Sequence, residues 1–290
     1  VTPTTERGLE AMGEVCSSSL SAMHRNQIGR EPWPDLSSFD PSAYPVALLQ
    51  EASEHWAERA RAEHGSVHQF SQVSHALCVA RAPLEVQGAL ARLITDEVRH
   101  AELCARMAAA CAPGAPRPQG WPTPQAPWEE APLEGDQQEI YAWAARAVLI
   151  ACCLGETISR PLLEAVVIVA TDPVAEAVGR QILRDEQLHA TFGWELLAWL
   201  LPRIRDFERE QLERVTLPAA FAALERSTSC GISANELAHT TLTIRRGSPN
   251  LGILSERQQA QLFYMALEGE VFAGLRRLGF DPASAWANRH

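Results

Sequence analysis

Two short segments of the chain, DEVRHAEL at 96–103 and DEQLHATF at 185–192, repeat one charged pattern inside alanine- and leucine-rich surroundings. On a helix, residues three apart share a face, so Glu97 projects with His100 and Glu186 with His189. A carboxylate oxygen and an imidazole nitrogen placed side by side can bind one metal ion. A further glutamate lies upstream of each pair: Glu63 before Glu97 and Glu156 before Glu186. Glu236 and His239 make a third such pair, but no aspartate precedes it and a glycine-containing break lies close by. It is expected to be a surface pair.

The elements that must position these residues read as helices. Long stretches rich in Ala, Leu, Glu and Arg carry helical periodicity, and alternating strand patterns are almost absent, so the fold class is all-α. A first helix is expected over about 46–79 and a second over about 84–111, with Pro83 suited to its start. Residues 112–134 hold seven prolines and no apolar periodicity, which makes them a long connection. A third helix runs from near Asp136 to Ala170, and Asp172 caps a fourth that opens at Pro173. The order is hairpin, long crossover, hairpin. With the turns near Arg81 and Asp172 and a rise of ~1.5 Å per residue, Glu63 comes level with Glu97, and Glu156 with Glu186. Packed as a four-helix bundle, the hairpins would bring four glutamates and two histidines to one level. That is a dinuclear carboxylate arrangement, with one Glu from each of two helices and Glu-x-x-His from each of the other two. Four such carboxylates, about −4 in charge, suit two divalent cations and would repel one another without them.

Outside that core, residues 1–43 read as an N-terminal arm, 44–201 as the bundle, and 202–290 as C-terminal helices, at about 203–226 and 255–278, packing on it as a single globular unit. The 290 residues and 46% hydrophobic content are ample for a buried core. A formal charge of −11 without a basic cluster argues against nucleic acid as a partner. The seven cysteines include no Cys-x-x-Cys pair, which disfavours a rubredoxin-type site or zinc ribbon and suits reduced thiols. With no apolar run long enough for a membrane span or signal peptide, no membrane association and a cytoplasmic location are expected.

In AEHGSVHQFSQ, TDEVRHAELC, CLGETISRPL and RDEQLHATFGW, over roughly residues 46–201, the chain resembles the ferritin-like di-iron carboxylate proteins. The resemblance implies a ferritin-like bundle whose metal ligands are Glu63, Glu97, His100, Glu156, Glu186 and His189. It also implies that Asp96 supports His189 and Asp185 supports His100, because metal-bound histidine usually donates its other N–H to a carboxylate or carbonyl. His64 and His68 point away from the face of Glu63, and His75 is too far along the helix. Val98, Arg99 and Glu102 are read as ordinary helix residues. Cys104, one turn beyond His100, should line the site, chiefly as a small buried hydrophobe. Tyr44, Tyr141 and Tyr264 are poorly placed for a radical, which weakens the reductase-subunit branch of the family. Pro161 should bend the third helix. Arg160 is a candidate contact for a substrate carboxylate, although it can equally turn outward to a neighbouring helix.

The resemblance implies two iron ions, with Mn/Fe or Mn/Mn suited to the same ligands. The activity implied is an O2-dependent oxidase or oxygenase, of hydroxylase or N-oxygenase type, acting on a small organic substrate with an external electron donor. A homodimer is compatible with this reading. The alternative is a ferritin-like iron-binding or ferroxidase protein without an organic substrate.

Overall fold

The computed structural model describes residues 33–112, 121, 126–244, 247 and 249–289, and among these every regular element is helical. The first 32 residues, most of the expected arm, lie outside the described residues, as does part of the proline-rich connection. What is described of the arm forms two single 3-10 turns, Leu36–Ser38 and Pro41–Ala43, capped by Asp35 and Asp40. No helix among the described residues is long and apolar enough to cross a membrane. The described cysteines are free thiols.

The long helices α1 (Val46–Val79) and α2 (Leu84–Cys111) form the first hairpin. Its turn is a Schellman closure: Ala82 N–H donates to the Leu77 carbonyl and Arg81 N–H to that of Cys78, with Arg81 in the left-handed region at φ 58°. The second hairpin begins with α3 (Gln137–Val148), opened by an Asp136/Glu139 capping box. It continues through a π-helical stretch, Leu149–Glu156, into α4 (Thr157–Val169). After Asp172, whose side chain accepts from the Val174 and Ala175 amides, α5 (Pro173–Leu200) returns. Chain order and helix limits thus match the residue pattern closely. The π stretch does not: α4 runs on through Pro161 without a break in the helix, and the widened turn lies directly before it. A π turn takes in an extra residue and rotates the helix beyond it, and here it ends on Glu156.

At this point α5 and the π stretch come close. A Cβ at Gly193 would stand 3.1 Å from the Cys152 carbonyl carbon, so only glycine permits the approach. His189 lies one turn before Gly193, and Cys152 one turn before Glu156. The contact therefore seats one half of the site against the other.

The C-terminal part wraps the second hairpin. It comprises α6 (Asp206–Gln211), α7 (Leu217–Thr228), the short α8 (Ala234–Leu237), α9 (Glu256–Ala266), α10 (Phe272–Arg277) and α11 (Pro282–Ala287). Further π stretches join α6 to α7 and α9 to α10. Phe221, Phe263 and Leu275 bring this layer into one apolar cluster with Phe70, Leu90, Leu93, Leu154 and Leu196 of the hairpins.

A second apolar cluster contains Trp56, Ala60, Leu103, Met107, Leu163, Val178 and Ile182. Along α1, α2 and α5 the two clusters occupy opposite ends. Between them, on each helix, falls the polar stretch: Glu63 on α1, Glu97 and His100 on α2, Glu186 and His189 on α5. A charged layer is sandwiched between two greasy ones.

Candidate metal centre

Six side chains from four helical segments meet in that layer. Ligand atoms of Glu63, Glu97, His100 and Glu186 lie within 4.8 Å of one another, as do those of Glu97, Glu156, Glu186 and His189. Each set can hold a metal ion, and Glu97 and Glu186 belong to both. All six residues expected to be ligands are therefore gathered.

Both histidines turn Nδ1 toward the carboxylates. His100 Nδ1 is 3.4 Å from Glu186 Oε1 and 3.7 Å from Glu63 Oε2. His189 Nδ1 is 2.9 Å from Glu97 Oε1 and 3.4 Å from Glu186 Oε2. On the far side of each ring, His100 Nε2 hydrogen-bonds Asp185 Oδ2 at 3.3 Å, while His189 Nε2 stands 3.7 Å from Asp96 Oδ2. The crossed pairing of aspartates and histidines is present, tighter on the His100 side.

The donor set fits cations. Both oxygens of Glu97, Oε2 of Glu186 and Nδ1 of each histidine are buried without a hydrogen bond. Buried polar atoms normally find partners, so this cluster of aligned lone pairs is what a metal would satisfy. The carboxylates and imidazoles also match the preferences of iron or manganese. Burial, the largest influence, raises Glu97 to about 8; His189 opposes the rise and Glu63 adds to it. Burial likewise raises Glu156 strongly, reinforced by Glu186 and Glu97. For Glu63, burial is outweighed by the Arg59 guanidinium and His100, which hold it at about 2. His100 is raised to about 10 because Asp185, Glu63 and the shared glutamates overcome its burial. In the metal-free protein the histidines thus act as internal cations.

Three arginines surround the cluster, and residue pattern alone did not single them out. Arg99, read as an ordinary helix residue, is buried, with Nη1 at 3.3 Å from Asp185 and 3.7 Å from Asp96. Arg92 binds both oxygens of Asp96 through Nε, at 2.9 and 2.7 Å, and reaches Asp185 at 3.7 Å. Together they tie down the carboxylates that orient the two histidines. Arg59 Nε lies 3.2 Å from Glu63 Oε1. Spacing held a hint: Arg99 is three residues after Asp96, and Arg59 four before Glu63, both helical pairing distances. Glu102, also read as ordinary, is buried and paired with Arg106.

Cys104 is fully buried among Trp56 and Met107, near enough to Glu63, Glu97 and Glu186 for their charges to add to the burial that raises its thiol. Cys152 sits correspondingly close to Glu156 and His189 on the opposite side and was not anticipated. His64 stacks on Trp121 at 4.7 Å. Glu236 merely caps its own short helix through Ser233, away from both clusters. Tyr44, Tyr141 and Tyr264 donate to Asp172, Ala80 and Glu225, which are structural anchors. Arg160 takes the outward alternative: it pairs with Glu164 at 2.7 Å and Glu270 at 2.9 Å. It lines a cleft of 650 Å³ that none of the six cluster residues lines. A different cavity, 450 Å³ in volume, is lined by both Glu63 and Glu156. These two retain 7% and 8% exposure, against 1% for the shared Glu97 and Glu186.

Comparison with known protein families, curated proteins and solved structures finds no match to the chain.

The overlap of the two ligand sets predicts an uneven response to substitution. Glu97→Ala or Glu186→Ala should abolish most metal binding while circular dichroism shows helix content intact. Glu63→Ala or Glu156→Ala, each in one set, should leave about half of the wild-type metal, measured by elemental analysis. Equal stoichiometry in all four variants and the wild type would contradict the geometry.

Metal-free protein should also lose stability as pH rises. The folded state holds protons on Glu97 (4.5 raised to about 8) and His100 (6.5 raised to about 10) more tightly than the unfolded chain does. His55, lowered from 6.5 to about 4, offsets the loss at lower pH, so linkage removes stability progressively above about pH 6 and on toward 10. Glu63, lowered from 4.5 to about 2, has the opposite sign, but its contribution is already complete throughout that window and falls away only in acid, below about pH 4.5. Urea midpoints of chelated protein should therefore decline from about pH 6 to 9, and saturating metal should abolish most of the decline. A flat metal-free profile would refute this assignment of charge.

Proposed function

We propose that the chain is a ferritin-like four-helix-bundle protein holding two irons and using dioxygen to oxidise a small organic substrate. The observation that carries this reading is the pair of overlapping ligand sets, joined through Glu97 and Glu186. The hairpin, long connection and hairpin order supports it, because that topology is a known way to bring these ligands to one level.

Two irons bound there would supply the electrons that dioxygen takes up, with an external donor restoring them. The chain's own residues have definable tasks. With metal bound, Asp185 would accept from His100 Nε2 and so fix the tautomer whose Nδ1 faces the carboxylates. Asp96, held by Arg92 and Arg99, is placed to do the same for His189. The apolar clusters above and below exclude water from the layer, so unwanted side reactions have little access. The cavity at Glu63 and Glu156 gives a substrate its approach. That opening favours oxidation of an organic molecule over simple iron storage.

Anaerobic Fe(II) titration followed by oxygen distinguishes the two. Uptake should saturate at two irons per chain, one for each ligand set. Dithionite and oxygen should then cycle the same irons repeatedly without release. Continued uptake beyond that stoichiometry, with ferric mineral accumulating, would replace this reading with a storage function.

A further inference from the structure

We propose that the 450 Å³ cavity binds its substrate through a carboxylate group, with Arg59 as the anchor and an apolar body lying along the opposite wall. The proposal rests on the dinuclear reading and names the substrate class of that site.

Charge points to the ligand. Arg59 is the one Lys or Arg side chain among the described residues lining the cavity. The acidic side chains there are Glu58, Glu63 and Glu156. Glu58 is largely exposed and pairs at 2.7 Å with Arg61, while Glu63 and Glu156 belong to the metal sets. Once those two carboxylates are shared with metal cations, Arg59 loses much of the negative charge that Glu63 gives it. A largely buried guanidinium left in that position attracts an anion.

The neighbouring polar groups are compatible with a carboxylate. Arg59 Nη2 reaches Ser159 Oγ at 3.5 Å, which brings a hydroxyl to the same spot. His55, one turn before Arg59, keeps Nε2 buried without a hydrogen bond. Burial and the Arg59 charge lower it to about 4, so at neutral pH it is an uncharged ring that can donate. Arg59 and Ser159 thus present donors together, and His55 lines the same cavity. Ile150, Ala151, Leu162, Val166 and Leu254 supply the apolar lining. The volume falls within the range of small-ligand sites, about 300–1,000 Å³. An apolar monocarboxylate satisfies both ends. The anion-recognition role considered for Arg160 thereby passes to Arg59, since Arg160 is already engaged by Glu164 and Glu270.

The test is calorimetric binding of octanoate, octan-1-ol and octylamine to the Fe(II)-loaded protein without oxygen. Octanoate should bind at least about tenfold more tightly than the alcohol or the amine, as expected for a charge-assisted contact. Arg59→Met should remove that preference and leave the alcohol unchanged. Leu254→Trp, which narrows the cavity away from either ligand set, should weaken octanoate with iron retained. Equal affinity for the three probes in the wild type would overturn the assignment. So would octanoate binding that survives both substitutions, the result expected if its carboxylate merely sat on iron. Iron measured in the same samples separates the two claims. Intact iron without carboxylate preference removes only this proposal, whereas wild-type protein unable to hold iron removes the dinuclear reading and this one with it.

Discussion

Everything in this molecule is arranged around one expensive placement: four carboxylates and two imidazoles buried at one level between two apolar clusters. Burial of ionised groups without compensation costs several kcal/mol each. The metal-free chain meets that cost in part by protonation, with Glu97 raised to about 8 and His100 to about 10. Cations would meet it more completely, because Nδ1 of both histidines and oxygens of the shared glutamates are already gathered there without hydrogen bonds. The same long helices carry apolar clusters above and below the layer, which leave its approach to the cavity at Glu63 and Glu156. The price of the layer is stability, and its product is a preorganised ligand set.

Around that layer the two halves are alike in plan and unlike in detail. Each supplies a Glu, then Asp-Glu-x-x-His, and the aspartates cross to the opposite histidine. Arg99 on α2 serves both aspartates, however, and Leu188 occupies the matching place on α5. Glu63 has Arg59 one turn before it, whereas Glu156 has Cys152 there and emerges from a π stretch. One half is therefore richer in positive charge and the other in close backbone contact. The cavity reflects the asymmetry, since Arg59 supplies its cation while the π stretch supplies much of its apolar wall.

The six clustered residues were legible in sequence because helical period converts spacing directly into faces and heights. Glu97 and His100 need only a regular helix to converge, and Glu63 needs only a short hairpin turn to stand level with them. The all-helical class and the helix limits were readable for the same reason. The arginines were not, because a long side chain can swing to solvent or inward. Arg99 is drawn inward by Asp185, which arrives from a helix 86 residues away in sequence. Arg160 is drawn outward by Glu270, at a separation of 110. The π stretch was hidden as well: LIACCLGE carries the apolar, helix-compatible pattern of its surroundings, and an inserted residue leaves no mark in the spacing.

The central claim is that one layer holds two cations linked by shared carboxylates. Crystals soaked in Mn(II) and measured for anomalous scattering test it most directly. The account predicts two anomalous peaks, one bounded by Glu63 and His100 and the other by Glu156 and His189, with Glu97 and Glu186 contacting both. A single peak, or density away from these residues, would contradict it.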